Sequence, residues 1–433
     1  MIEFLTLFLT IVAGGRPVAV TVDPAVTMVE FQLDGNRIVR LHGPPWETKI
    51  DLGPPMPHEL TAVAFDSDGQ EVGRVSQRIN FGPYTAEARL ALLRQGDDPP
   101  TQARLIWETF DQREPKRIQA RFDGQKASFD RTGNEVLITI PPHDPDFPHL
   151  LEAELEFQDK VHARADLPFG GRYGDRVTSD LTAVPLLLPD GMPLPDPEEV
   201  RGWLRVDGHP VPVFAVRREP ATVFVVRDLF LRKPLPISAA DKHLIRQAPK
   251  GVSKEDDVYF LLTVPWMKER EDGATAIFAP QRVRRAHKAA GLDYILRHQG
   301  TQGSFTGDPQ HLMGAVLSAG QAAAQAGRPR AVVLLVDGQS DDASQLLPQH
   351  VRSYLAVLRV PIFVWSHGEG PRTEAAAILH GTTREYAQDS LSGMLTALDH
   401  NLRRQAIVWL EGRFLPQAIT LSSDAPQGVA FAR

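Results

Sequence analysis

The chain has 433 residues, a net charge of −7 and no cysteine. It is too long for one compact core, and at roughly 100–200 residues per domain we expect about three domains in series. The charge provides no basic field for nucleic acid, and the lack of cysteine excludes disulfides, thiolate metal sites and cysteine nucleophiles. We therefore expect a multidomain globular protein with no nucleic-acid partner and no stable membrane span.

The first 15 residues are strongly apolar and read MIEFLTLFLTIVAGG. This run is too short for a membrane-spanning helix but has the length of a signal-peptide apolar region, and small residues end it. Against export, no Lys or Arg precedes it and Glu3 lies inside it, so the alternatives are a buried first strand or a mis-assigned start of the chain. We expect an extracytoplasmic protein, periplasmic or secreted; the alternative is a cytoplasmic protein, if residues 1–15 are not a signal peptide.

From Pro17 the hydrophobic pattern has a period of two, which indicates short strands separated by Gly, Pro and Asp turns. The pattern also repeats: FQLDGNRI at 31–38 matches ARFDGQKA at 120–127, and HELTAVAFD at 58–66 matches HLLEAELEFQD at 149–159. The two Asp-Gly turns are 89 residues apart, close to the roughly 100 residues of one immunoglobulin-like sandwich. We predict two such domains, 16–83 and 84–172; the alternative is a chance recurrence of Asp-Gly hairpins.

One loop of the second domain, PPHDPDFPH, brings together residues that bind metals in other proteins. It contains His143, Asp144, Asp146 and His149. Its prolines hold it extended, and mixed His/Asp loops usually face water. We expect a solvated loop without a metal ion.

After residue 220 the pattern becomes continuous apolar runs, such as VFVV, VYFLLTV, AVVLLV and VPIFVW, that alternate with helical segments. Continuous runs indicate strands buried on both faces, which predicts a doubly wound, mostly parallel sheet flanked by helices. Ligands of such sheets bind at the carboxyl ends of the strands. Asp228 and Asp337 each end one of these apolar runs.

The order of these segments resembles that of a known family. Residues 181–228 resemble the lead-in of bacterial proteins, of the acidobacterial type, that are related to the von Willebrand factor A domain and carry immunoglobulin-like domains upstream. RAVVLLVDGQSDDAS (330–344) and LRVPIFVWS (358–366) are similar to two later strands of that family. The resemblance covers about residues 175–413 and implies a β lead-in at 173–219 and an A-like domain at 220–413. It leaves a C-terminal extension at 414–433, which we expect to lie along the body or to pair with another segment.

In that family a divalent cation is held by an Asp-x-Ser-x-Ser motif after the first strand. Asp228 matches its Asp, but Phe230 and Arg232 occupy the two Ser positions, and neither side chain ligates a cation. As a hypothesis, the Arg232 guanidinium replaces the metal charge beside the carboxylates. The alternative alignment, with VYFLLTV as the first strand, loses every ligand except Asp337.

The family's remaining ligands are a Thr before a helix and a late Asp. Asp337 matches the late Asp, whereas Gln310 occupies the Thr position and Thr306 is an outside candidate. Mg²⁺ requires several oxygens at about 2.0–2.1 Å, so the resemblance implies a degenerate metal-ion-dependent adhesion site without a cofactor. The alternative is a residual Mg²⁺ site made of Asp228, Asp337 and Thr306.

The loop after Asp337 also contains Asp341 and Asp342, a set that could serve acid–base chemistry. We expect a solvated loop, with an Asp capping the next helix. We predict a non-enzymatic interaction or adhesion-type scaffold with an unknown protein partner. The alternatives are a divalent-cation-dependent adhesion protein and a hydrolase that uses the Asp337 loop.

Overall fold

The structure is a computed structural model. It describes residues 2–6, 8, 11–22, 25–81, 86–93, 99–109, 114–132, 135–145, 147–157, 162–170, 181–228, 256–264, 278, 281–283, 310–337, 342–344, 346–367, 375, 378–379 and 391–433. None of the helices in these ranges has both the length and the apolar character needed to cross a membrane.

The first domain is a sandwich of two antiparallel sheets, ordered β1-β2-β5 and β4-β3-β6-β7. Its inward residues, such as Val18, Phe31 and Leu60, are fully buried in one core. The strands are β1 (Ile2–Phe4), β2 (Gly15–Val22), β3 (Met28–Leu33), β4 (Asn36–Leu41), β5 (Glu47–Asp51), β6 (His58–Phe65) and β7 (Glu71–Ile79).

The second domain is also an antiparallel sandwich, with sheets ordered β11-β10-β14-β15 and β12-β13-β9-β8 around a separate core. The predicted pair of β-sandwiches is therefore confirmed. The strands are β8 (Ala86–Leu93), β9 (Gln102–Thr109), β10 (Arg117–Phe122), β11 (Gln125–Ala127), β12 (Phe129–Thr132), β13 (Glu135–Thr139), β14 (Pro148–Glu156) and β15 (His162–Gly170).

The sequence repeat corresponds to a repeated turn. In the first sandwich Asp34 adopts φ +51° and its Oδ1 accepts a hydrogen bond from the Glu59 N–H at 2.8 Å. Its Oδ2 lies 2.7 Å from His58 Nδ1. The Asp carboxylate thus ties the β3–β4 hairpin to the start of β6, and its own N–H donates to the Glu59 carbonyl.

The second sandwich has the same device, with Asp123 at φ +47° and its Oδ2 2.7 Å from His149 Nδ1. The His149 ring also stacks on Phe122 at 5.1 Å and contacts His143 at 4.9 Å between ring centroids. The expectation of a merely solvated loop is thus wrong for these histidines, because their rings pack on the aromatic end of the core.

Part of the apolar N-terminal run is packed in the structure. β1 pairs antiparallel with β2, and Val12 N–H donates to the buried Asn80 Oδ1 at 2.7 Å. Ile11 belongs to the core around the helices of the later α/β domain. The Tyr354 hydroxyl, from that domain, donates to the Asn80 carbonyl at 2.6 Å. This segment therefore connects the first sandwich to the α/β domain.

The α/β domain has a five-stranded sheet ordered β22-β21-β20-β23-β24, parallel except for β22. Helices α2 and α3 pack on one face and α4 on the other, which confirms the predicted fold class. The elements are β20 (Thr222–Arg227), β21 (Asp257–Leu262), β22 (Gln281–Arg282), α2 (Leu312–Gln325), β23 (Arg330–Asp337), α3 (Pro348–Val357), β24 (Ile362–His367) and α4 (Leu391–Arg404).

The segments on either side of this domain form one further unit, which we call the flanking β-domain. Its sheets are ordered β19-β25-β16-β27 and β18-β17-β26. The elements are β16 (Leu181–Leu187), α1 (Pro197–Val200), β17 (Leu204–Val206), β18 (His209–Pro210), β19 (Val213–Arg217), β25 (Gln405–Glu411), a 3₁₀ turn (Pro416–Ala418), β26 (Ile419–Leu421) and β27 (Ala430–Phe431).

This arrangement differs from the prediction that 405–413 ends the A-like domain and that 173–219 only leads into it. β25 is buried on both faces, with Val408 in one core and Trp409 in another. The backbone N–H and C=O groups along both edges of such a buried strand need hydrogen-bond partners. The neighbouring strands β16 and β19 supply them. β26 and β27 confirm that the extension pairs with earlier segments.

The tail is also fixed by Arg359, which follows α3. Its Nη2 donates to the Pro416 and Ile419 carbonyls at 2.8 and 2.7 Å, and its guanidinium lies 3.9 Å from the centre of the Phe431 ring. Burial, together with the nearby Arg330, lowers the pKa of Arg359 to about 9. The carbonyls and the ring thus take the place of a carboxylate partner.

We predict that Gly327→Ala destabilises the protein more than Gly208→Ala. Both glycines have positive φ, but a Cβ on Gly327 would lie 2.9 Å from Trp409 Cη2, whereas one on Gly208 would meet nothing within 4 Å. Both substitutions add backbone strain at a positive φ, so the difference in stability measures the overlap of the Gly327 Cβ, just after α2, with Trp409 of β25, on the order of 1–3 kcal/mol. Thermal unfolding midpoints of the two variants test this, and equal shifts would contradict it.

Candidate functional site

The candidate site lies where the carboxyl ends of the parallel strands meet. Asp228 follows β20, is fully buried, and its N–H donates to the Leu335 carbonyl at 2.9 Å. Arg227 pairs in register with Leu335 on the adjacent strand β23. Asp228 follows Arg227, and Asp337 is the last residue of β23, so both reach the same edge of the sheet. The backbone therefore brings together the two acids that the sequence singled out.

Sequence reasoning missed a buried cation that interacts with Asp228. Arg227 is the last residue of β20 and is only 3% exposed. Burial lowers its pKa to about 10, and the neighbouring Asp228 carboxylate opposes that shift. The signal was present in VFVVRD, because a charge inside a strand buried on both faces is rare unless it is paired.

Gln310, at the Thr position of the resemblance, lies at the neighbouring strand end and is buried. Its Oε1 accepts a hydrogen bond from the Thr263 hydroxyl, just past β21. The Thr263 carbonyl in turn accepts the His311 N–H at 2.6 Å. The amide oxygen that stands where a cation-ligating hydroxyl is expected is thus bonded to a protein hydroxyl.

The N-terminus of α2 is capped by a distant acid. Asp342 accepts hydrogen bonds from the Leu312 and Met313 N–H groups at 2.7 and 3.3 Å, and Ser344 Oγ accepts one from Gly314 at 3.2 Å. A carboxylate satisfies free N–H groups and complements the positive helix end. The helix terminus therefore holds an anion that belongs to the protein itself.

This cap corrects the expectation that the Asp337 loop caps the next helix. That helix, α3, begins at Pro348 after Leu347, which has no polar side-chain atom. Proline at a helix start has no N–H to satisfy, so a cap is needed less there. Asp342 and Ser344 instead bond the N-terminus of α2.

Several residues named from the sequence fall outside the described residues. They are Phe230, Arg232, Thr306, Asp146 and Asp341, together with the side chain of Asp337. Within the described residues, no group of three His, Asp or Glu side chains is placed to hold a metal ion.

No protein-family model matches the chain, and a comparison with curated proteins finds no match. Among solved structures, it is similar to the manganese-loaded TRAP protein of Plasmodium vivax, with 13% identity and a TM-score of 0.30 over 49% of this chain and 81% of that one. It is also similar to proximal thread matrix protein 1 of the mussel byssus, with a zinc-occupied MIDAS motif, at 15% identity and a TM-score of 0.28 over 44% and 47% of the two chains. The chain therefore spans under half of the byssus protein.

A further likeness concerns the sandwiches. The fibronectin(III)-like modules of Clostridium thermocellum CbhA share 21% identity over 18% of this chain and 93% of that one, with a TM-score of 0.17. The fold is immunoglobulin-like or fibronectin-III-like sandwiches followed by a von Willebrand A-like α/β domain, as the sheet topology defines it.

We predict that Asp342→Ala lowers the stability of the α/β domain by about 1 kcal/mol, the usual cost of a lost helix cap. Asp342→Asn is the matched control, because its single amide oxygen still accepts the short bond from the Leu312 N–H, while the charge and the longer bond from Met313 are lost. Thermal unfolding should place Asn close to wild type and Ala below both. A loss of equal size in the two variants would show that charge, and not capping, is the main contribution.

Proposed function

We propose that the chain is a non-enzymatic interaction scaffold and that its A-like domain works without a divalent cation. The observation that carries this proposal is the hydrogen bond from Thr263 to Gln310 Oε1. In the resembling family a threonine hydroxyl at that position contributes to the cation site. Here a buried amide occupies it, and its oxygen is used by the protein.

Two further features support the proposal. Phe230 and Arg232 replace the two serine hydroxyls of the family motif, so these two positions offer a hard cation no oxygen ligand from their side chains. The buried Arg227 adds a positive charge that interacts with the Asp228 carboxylate, as a metal ion at this strand end would.

The use of Asp342 as a helix cap argues against the hydrolase alternative. A general acid or base must exchange protons with a substrate. The Asp342 carboxylate instead accepts hydrogen bonds from the Leu312, Met313 and Ser344 N–H groups, which gives it a structural use.

We expect titration of the full chain with Mg²⁺ or Mn²⁺ to give no saturable heat in calorimetry. A positive control restores the missing oxygens in the triple variant Phe230→Ser, Arg232→Ser and Gln310→Thr, which should gain Mn²⁺ binding if the rest of the site is intact. A saturable heat in the wild type that Asp337→Ala abolishes would overturn the metal-independent proposal and support the residual-site alternative.

A further inference from the structure

A cluster of buried charges lies at the opposite end of the sheet from the candidate site. At its centre is Arg328, between α2 and β23. Its Nη2 donates to Glu152 Oε1 of the second sandwich at 2.9 Å. Its Nη1 lies 3.5 Å from Asp257 at the start of β21, and its Nε lies 3.6 Å from Glu219 in the segment before β20.

A second arginine extends the cluster within the sandwich. Arg164, on β15, places Nη2 2.5 Å from the same Glu152 oxygen and Nε 2.7 Å from Asp166. All six side chains are at most 18% exposed. The two sandwich acids and the two A-domain acids thus share two guanidinium groups across the domain junction.

The cluster has more acids than bases among the described residues, with four carboxyl groups and two guanidinium groups. Fully ionised, it would bury two surplus negative charges, and nearby like charges in a low dielectric oppose this. The positive charge of Arg121 also attracts the Glu152 carboxylate and helps to lower its pKa. Glu154, on the same strand, accepts a hydrogen bond from the Tyr259 hydroxyl at 3.3 Å.

The acids of the cluster differ in the direction of their pKa shifts. Burial opposes ionisation of Glu152, but Arg164 and Arg328 outweigh it and hold its pKa below the ordinary value. Burial and then the Glu152 charge raise the pKa of Glu219 to about 7. Burial also raises the pKa of Asp166, against the attraction of Arg164. Glu219 is thus the acid that takes up a proton near neutral pH.

We propose that this cluster is a proton-dependent latch, which holds the second sandwich against the A-like domain more tightly at mildly acidic than at alkaline pH. A proton on Glu219 removes one surplus charge from the closed junction. Opening the junction exposes Glu219 to water, where its ordinary affinity for protons returns. The latch therefore takes up a proton when it closes.

The direction of the pH effect follows from the raised pKa of Glu219. Its contribution to closure is fully present below the ordinary value of 4.5 and is lost as pH rises through the value of about 7 in the closed state. Between pH 5.5 and 8.5 these two values give a change of about 30-fold in the closing equilibrium, since each pKa unit is a factor of ten. Above this window the contribution no longer changes.

The absence of native cysteine allows a direct test in the full chain. Spin labels at Lys126→Cys in the second sandwich and Ser353→Cys on α3 occupy exposed positions in the two domains. We expect pulsed electron spin resonance to give one narrow distance distribution at pH 5.5 and an added, broader population at pH 8.5.

Glu219→Gln is the decisive variant, because the amide keeps the shape of the side chain without a titrating proton. The labelled variant should show nearly the same distribution at both pH values, whereas Glu198→Gln, on exposed α1, should behave as wild type. The proposal fails if the wild type is unchanged between pH 5.5 and 8.5, or if Glu219→Gln keeps the full pH response. Should Glu219→Gln misfold, hydrogen exchange of the β14 and β15 amides in the unsubstituted chain at the two pH values decides the matter: equal protection, after correction for the intrinsic pH effect, overturns it.

Discussion

The placement of the domains depends on the two-residue step from Gly327 to Arg328. Gly327 follows α2 with φ +60°. Trp409 of the flanking β-domain lies so close to it that any side chain at this position would overlap the indole ring. Arg328 then binds Glu152 of the second sandwich. Removing one partner of a buried ion pair typically costs about 3–5 kcal/mol, because the other charge is left buried and unpaired. One short loop thereby holds three domains in contact.

The flanking β-domain extends this constraint to the whole A-like domain. β19 leads directly towards β20, and α4 continues into β25 without a loop, so both chain ends of the A-like domain emerge from one sheet. Gln405 completes the link, since its side chain exchanges two hydrogen bonds with the Arg330 backbone at 2.8 and 2.9 Å. The amino ends of the strands are therefore fixed, while the carboxyl ends carry the candidate site.

Periodicity and repetition predicted the parts of the fold that local sequence determines. Alternating residues such as Val18 and Val20 defined the sandwiches, and the Asp-Gly repeat corresponds to the matching bonds of Asp34 and Asp123. The partner of β25 could not be predicted, because a strand buried on both faces fits a parallel or an antiparallel sheet equally well. Nor could the ion pair between Glu152 and Arg328, whose positions are 176 residues apart.

The candidate site was likewise predicted from the sequence only in part. The sequence placed Asp228 and Asp337 at the right strand ends and predicted an Asp cap in the loop after Asp337. It assigned that cap to the next helix, whereas Asp342 caps α2, which begins 30 residues earlier. These hydrogen bonds satisfy polar groups at the carboxyl end of the sheet with partners from the protein itself. The helix N-terminus is saturated by Asp342, and Gln310 is held by Thr263. Because the protein's own groups bond both elements, the proposed metal-independent state leaves neither the helix N-terminus nor the Gln310 oxygen without a partner.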